Sequence, residues 1–305
     1  MYHYWAYGLK IYSEIEFPEM LPISANAQSD VELKLGIVDK VGMHPKGFYS
    51  ASMDITPDEY RLIIKDIVKF HVIAGKKIVM EVSEGASWDM VRLFCLSNAF
   101  AALLHQRKLI PLHAAALLKN DKLVMILGDS GVGKSTTMAG LLSYDLAPYS
   151  DDVCVPVESA DGQWLFYSSY PMMKFWRSTL ELEGIQIKAD RQIRPDMEKF
   201  GTYFHDQFDI SPKKPAAIFV LKKVLTSDSL NLSRVNGMKL FQHLESNAYR
   251  AEYINASDLK KQHFHFFTSI AQQVPCYLLE RSADGIDHRL VTQMIWKELS
   301  KLQHE

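Results

Sequence analysis

The run Gly128-Asp129-Ser130-Gly131-Val132-Gly133-Lys134-Ser135 matches the phosphate-binding pattern Gly-x-x-x-x-Gly-Lys-Ser at every fixed position. Each residue type there has a task. Glycines let successive backbone N–H groups turn towards one anion, the lysine reaches the β- and γ-phosphates, and the serine hydroxyl joins the coordination of Mg²⁺. Thr136 follows directly and completes the nucleotide-binding set. Sixteen residues beyond Ser135 stand two adjacent acids, Asp151 and Asp152. Phosphoryl transfer needs one group on the metal or its water shell and another that accepts the proton of the attacking hydroxyl. Two neighbouring carboxylates can divide these tasks. The competing reading is a solvated acidic turn, since Ser150-Asp151-Asp152 also suits a loop. His113, among apolar residues, is either a hydrogen-bonded core histidine or a partner that sets the base strength of Asp151. Arg177 and Lys199 are candidate cations for phosphate or peptide, and otherwise solvated charges.

These residues work only if the elements around them point them at one place. Leu123–Leu127 is an apolar run of strand length, and Thr136–Leu142 can begin a helix. Strand, glycine loop and helix together aim the positive end of the helix dipole at the anion, so the chain is expected to bind ATP or GTP. Ahead of the loop, Leu112–Leu118 and the turn Lys119-Asn120-Asp121-Lys122 predict an antiparallel hairpin, because a parallel pair needs a long crossover. Further strands are expected at Trp164–Ser168, Ala216–Val224 and Pro275–Leu279, and helices at Gly237–Tyr249, Ser257–Gln272 and Asp287–Leu302. Residues 186–214 are charged and broken by Pro195, Gly201 and Pro212, which predicts long loops. Residues 1–85 alternate as β-structure, and Ser87 can cap a helix running to about Gln106. The domain boundary is therefore placed near Gly85, with residues 1–85 a smaller β-rich domain and 86–305 the nucleotide-binding one.

Composition bounds the function class. A chain of 305 residues suits two domains, and 48% apolar content allows each a core. A net charge of −2 gives no argument for nucleic acid or a membrane surface. Cys95, Cys154 and Cys276 are widely spaced, without a CxxC pair, and read as buried thiols. No secretion signal opens the sequence, and the apolar stretch Leu93–Leu104 is too short to span a bilayer. The expectation is a cytoplasmic protein with neither nucleic acid nor membrane as partner. The oligomeric state is open, a homo-oligomer included.

In its order of parts the chain resembles the HPr kinase/phosphorylase superfamily, whose kinase domain is related in fold to ATP-dependent phosphoenolpyruvate carboxykinase. The residues carrying the resemblance are His113 ahead of the hairpin, the loop with Ser130 in place, and Asp151-Asp152-Val153 after the first helix. It covers roughly residues 87–225. The implied fold class is α/β with α+β character, a P-loop kinase domain with a mixed sheet beside the smaller β-rich domain. By the same resemblance Asp151 is the base, His113 its helper, and Ser135 with Asp152 the metal side, with ATP and Mg²⁺ as cofactors. A narrower likeness links Tyr7–Ile15 with Phe17-Pro18-Glu19, Tyr170-Pro171 and Val274–Arg281 to the kinases of lasso-peptide biosynthesis. That implies a serine kinase acting on the C-terminus of a ribosomally made precursor peptide. Two other readings stand beside it: a kinase of another protein or small-molecule hydroxyl, and a nucleotide-binding regulatory module without transfer activity.

Overall fold

The computed structural model describes residues 1–25, 28–39, 48–50, 52–184, 191–194, 196–225, 230–256, 259–282 and 287–302. Contacts divide the chain into two compact units, Met1–Pro111 with Tyr249–His265, and Leu112–Ala248 with Phe266–Glu305. The division does not fall at residue 85. The helical run that follows that point belongs to the first unit, and the chain returns to that unit after Ala248.

The first unit is built on a nine-stranded sheet. Its strands Val68–Ile73 and Lys77–Val82 pair antiparallel, as the alternation of Val68, Phe70 and Val72 with polar residues predicts. The helical run consists of Trp88–Phe94, a π-turn at Cys95–Ala99 and Phe100–Gln106. A π-turn inserts one residue and shifts the phase of the apolar face. Val91, Cys95, Ala101, Ala102 and His105 are therefore buried, while Phe94 and Asn98 of the same expected face are half-buried. His105 donates its Nε2–H to the carbonyl of Tyr249 at 2.9 Å, beside the Tyr253 ring.

The second unit carries a mixed six-stranded sheet in the order Ala147–Ser150, Ala114–Lys119, Lys122–Leu127, Pro215–Val224, Cys276–Ser282, Leu230–Arg234. Ala114–Lys119 and Lys122–Leu127 form the expected antiparallel hairpin. Its two turn residues, Asn120 and Asp121, both have positive φ, 49° and 63°, the twist that a two-residue hairpin turn requires. On its other edge Lys122–Leu127 runs parallel to Pro215–Val224. Buried on both faces, this central strand reads as an unbroken apolar run rather than an alternation. The helices Lys134–Leu142 and His288–Lys301 cover the sheet through Met138, Leu141, Val291, Ile295 and Leu299.

Two expectations change. Residues 186–214 are not loops throughout: Arg191–Arg194 and Met197–Tyr203 are strands that extend Met172–Trp176 into a three-stranded sheet. Pairing with an apolar neighbour outweighs the local breakers, and Gly201 packs against Met172 where a larger side chain would collide. Residues 186–190 and 195 of that stretch lie outside the described ones. The helix expected over Gly237–Tyr249 ends at Ser246, and Asn247 leaves it with φ −102°. The three cysteines are buried and unbridged. No helix among the described residues is long and apolar enough to cross a membrane.

Burial holds the His105 imidazole at about 4, well below its ordinary value. The unfolded chain takes up that proton near pH ~6.5, the folded one only near pH 4. The stability tied to neutral His105 is thus complete above the unfolded value and falls as pH drops through the window between the two, by up to about 3 kcal/mol. Urea unfolding at about pH 7, 5.5 and 4.5 should show His105→Gln losing less stability on acidification than the wild type. Parallel losses in the two proteins would refute the linkage.

Candidate active site

The glycine-rich loop begins where the central strand ends, at Leu127 beside Val220 of its parallel neighbour. Gly128 has φ +139°, and a Cβ there would lie 2.5 Å from the Leu221 carbonyl oxygen and 2.9 Å from Val132 Cγ1. Only glycine fits. Gly133, at φ +108°, is the N-cap of the helix Lys134–Leu142. The first bond inside that helix runs from the Thr137 N–H to the Gly133 carbonyl at 2.9 Å. The N–H groups of Lys134, Ser135 and Thr136 precede it and lie at the positive end of the helix. Asp129, Ser130 and Gly131 form the exposed tip, and Val132 is buried beneath it. Lys134 Nζ donates to the carbonyls of Gly128 at 2.6 Å and Asp129 at 3.2 Å. Burial lowers the pKa of this ammonium, and the charges of Asp152 and Asp151 oppose the shift. The Thr136 hydroxyl lies 3.0 Å from that of Thr179. A cleft of about 610 Å³ opens beside the loop, lined by Gly133, Thr136, Leu182, Arg281, His288 and Val291. Arg281 reaches the loop itself, donating to the Val132 carbonyl at 2.7 Å.

The acid pair stands on a tight turn. The Val153 N–H donates to the Asp151 carbonyl at 3.0 Å, spanning Asp152, whose φ is +75°. This three-residue turn with positive φ stores strain, about 1–3 kcal/mol for a non-glycine residue. Ser150 braces it, with its hydroxyl donating to the Val153 carbonyl at 2.6 Å. One residue holds both carboxylates. The Lys174 backbone N–H donates to Asp151 Oδ2 at 2.8 Å, and its Nζ donates to Asp152 Oδ2 at 2.8 Å. His113 Nε2 lies 3.3 Å from the other Asp152 oxygen. Burial raises the Asp151 pKa and the neighbouring Asp152 charge adds to the rise, against the pull of Lys199 and Lys174. Burial also acts to raise Asp152, but Lys174 and His113 overcome it and hold that carboxyl well below the usual range. For Lys174, burial favours the neutral amine, yet Asp152, Tyr170 and Asp151 outweigh it and keep the group firmly charged.

The structure thus brings Lys134, Asp151, Asp152, His113 and Lys199 into one electrostatic neighbourhood. The His113 imidazole faces Asp152, the neighbour of the acid it was expected to help. The reason is the turn: a positive φ at Asp152 swings its side chain across to the histidine while Asp151 turns inward, 5% exposed. His113 itself lies one residue before its strand, which starts at Ala114. Arg177 stays outside the cluster, exposed, 3.6 Å from Glu198 and stacked over Phe200. Lys174 and Arg281 are the functional candidates that residue-type reasoning passed over. A lone charge in the apolar strand Met172-Met173-Lys174-Phe175-Trp176 was the available signal for Lys174.

For Mg²⁺ the donor set fits a nucleotide-borne ion. Ser135 and the ionised Asp152 supply hard oxygen ligands, and an ion arriving on phosphates needs only one or two protein carboxylates. Among the described residues no cluster of three or more His, Cys, Asp or Glu makes a cage for a resident metal.

No known protein-family profile matches the chain. No curated protein matches it either. Among solved structures it is similar to the HPr(Ser) kinase/phosphatase from Coxiella burnetii, at 13% identity over 64% of this chain and 93% of that one, with a TM-score of 0.35. So remote a likeness carries no argument about activity.

Replacing Lys174 with Met leaves Asp152 ionised without its ammonium, and should cost about 1–3 kcal/mol of stability at neutral pH. Adding Asp152→Asn should recover part of that loss in urea unfolding, because the two groups form one unit. Strictly additive losses would show that the pair is not coupled.

Proposed function

We propose that this chain is a phosphotransferase that takes the γ-phosphoryl group of ATP, with Mg²⁺, to a serine hydroxyl of a peptide. The observation that carries the reading is the acid pair held by Lys174 and faced by His113, on the turn that follows the strand pairing with the loop hairpin. A module that only binds nucleotide has no use for a carboxylate poised to accept a proton beside the phosphates. The loop N–H groups and Lys134 hold the phosphates, the cleft lined by Thr136 and Arg281 takes the nucleoside, and Ser135 with Asp152 holds the metal. Mg²⁺, when bound, neutralises charge on the phosphates. Asp151 accepts the proton of the attacking hydroxyl. Its environment favours that role, because burial and the Asp152 charge both raise its affinity for a proton. A second reading exchanges the two acids, and one observation favours it: Asp152 has the more open side chain, 30% exposed, and the histidine as neighbour.

The acceptor side is the three-stranded sheet. Its strand Met172–Trp176 passes the acid pair at Lys174 and ends at Trp176, 40% exposed. Lys199 lies 6.0 Å from the Trp176 ring, and Arg177 stacks on Phe200 next to it. Aromatic rings and cations on an open sheet suit an extended peptide, which loses ordering entropy on binding and so needs several contacts at once. We take the C-terminal serine of a lasso-peptide precursor as the acceptor. Support for that choice rests on the resemblance of Tyr7–Ile15, Tyr170-Pro171 and Val274–Arg281.

Three outcomes are expected. Lys134→Ala abolishes transfer and weakens ATP binding, because phosphate charge loses its partner. Asp151→Asn leaves ATP affinity within about threefold while lowering turnover at least ~100-fold, the range of a lost general base. If Asp152→Asn shows that pattern instead, the second reading is right. Radiolabel from ATP should pass to a serine-ended peptide, far less to its alanine-ended form, and little to free serine or HPr. Preferential labelling of free serine or HPr would sink the peptide assignment and leave the transfer chemistry standing.

A further inference from the structure

Asn247 lies 119 residues from the phosphate loop in sequence, yet its side chain ends on it. Its Oδ1 accepts the Gly128 N–H at 2.7 Å in a buried bond, and its backbone carbonyl accepts the His113 N–H at 2.8 Å. The same amide donates from Nδ2 to the His243 carbonyl at 2.8 Å. The Gly128 and His243 partners are backbone groups of fixed sense, so the amide can sit only one way round, and Nδ2 also reaches the Ser246 hydroxyl at 3.4 Å. Asn247 follows the helix Gly237–Ser246, which is anchored by the buried Leu240 and Leu244, and is itself 5% exposed. The next residue, Ala248, bridges to Leu112. Leu112 in turn exchanges two backbone bonds with Cys154, at 2.9 and 3.0 Å, just past the acid-pair turn. One buried residue therefore ties the first glycine of the loop to the histidine that faces Asp152.

We propose that Asn247 is a positioning residue that keeps the phosphate loop and the acid pair in register, resting on the phosphotransferase reading above. Gly128 is where such a tie acts most directly. A Cβ there would meet the Leu221 carbonyl, so the backbone is closely packed on that side, and the Asn247 bond holds its N–H where the loop begins to turn. A shift of about 1 Å between reacting groups can cost ~100-fold in rate, far more than it costs in binding. The loop and the acids arise from different segments, and a shared hydrogen-bonding residue prevents them from moving independently.

Asn247→Leu removes both polar ends while keeping the branched shape of the side chain. The expected result is a rise of about threefold to tenfold in the dissociation constant of a fluorescent ATP analogue, and a fall of at least ~30-fold in turnover. Combined with His113→Ala, the turnover losses should be far smaller than their product, because both substitutions cut the same connection. Should Asn247→Leu fail to fold, Asn247→Ser carries the same cycle, since its shorter side chain withdraws the acceptor from Gly128 while the backbone carbonyl towards His113 stays. Losses that multiply independently, or an Asn247→Leu protein with wild-type binding and turnover, overturn the proposal. A wild type that binds the analogue but transfers no phosphate sinks the transferase reading alone, and the analogue's affinity for Asn247→Leu still decides the role at Gly128.

Discussion

Asp151 and Asp152 place two carboxylates side by side on a strained turn, largely out of water, and the charge this creates organises everything around it. A lysine 2.8 Å from Asp152 supplies about 6 kcal/mol of attraction at an effective dielectric of 20. Taking each of the two ions out of water costs several kcal/mol. Gain and cost are of the same size, so the pair contributes little net stability. Its value is geometric. An ammonium on one Asp152 oxygen and an imidazole at the other fix the plane of that carboxylate, and the Lys174 N–H fixes Asp151. The neighbours pull the two acids in opposite electrostatic directions, and that asymmetry gives each a separate task.

The sheet sets this arrangement at the loop end of the central strand. The loop strand takes an antiparallel partner on one side and a parallel one on the other. The antiparallel hairpin returns the chain so that His113 stands near the loop end of the strand, and Ala147–Ser150 pairs with the same hairpin and delivers the acids there. A loop strand flanked on both sides by parallel crossovers would bring helices to those positions in place of a histidine and a turn. Loop, histidine and acid pair therefore converge as a consequence of strand direction.

Much of this was legible in the residues. Gly128, Gly133 and Lys134 announce their backbone and charge requirements by type, and the short turn at Asn120-Asp121 dictates the hairpin. Strand and helix positions followed where the apolar period was long, as in Ala216–Val224 and Asp287–Leu302. What escaped was set by partners distant in sequence. Met197–Tyr203 becomes a strand because Met172–Trp176 lies beside it, and nothing local to Pro195 or Gly201 says so. Lys174 is a lone charge in an apolar strand, and the acids it holds lie 23 and 22 residues away in sequence. That His113 faces Asp152 rests on backbone angles such as the positive φ at Asp152, which residue type does not announce.

The hidden residues share one property: each uses its backbone and its side chain for different partners. Lys174 holds Asp151 with its N–H and Asp152 with its amine. Asn247 holds His113 with its carbonyl and Gly128 with its amide. A side chain alone can swing on its rotamers, whereas a residue pinned at both ends transmits the position of its whole backbone segment. The proposed phosphoryl transfer would use that rigidity, because such catalysis consists of positioning and electrostatics with little covalent work by the protein. Residue type reveals the glycine-rich loop and the acids. The residues that hold those groups in place are revealed by where their two ends are bound, and only the fold shows that.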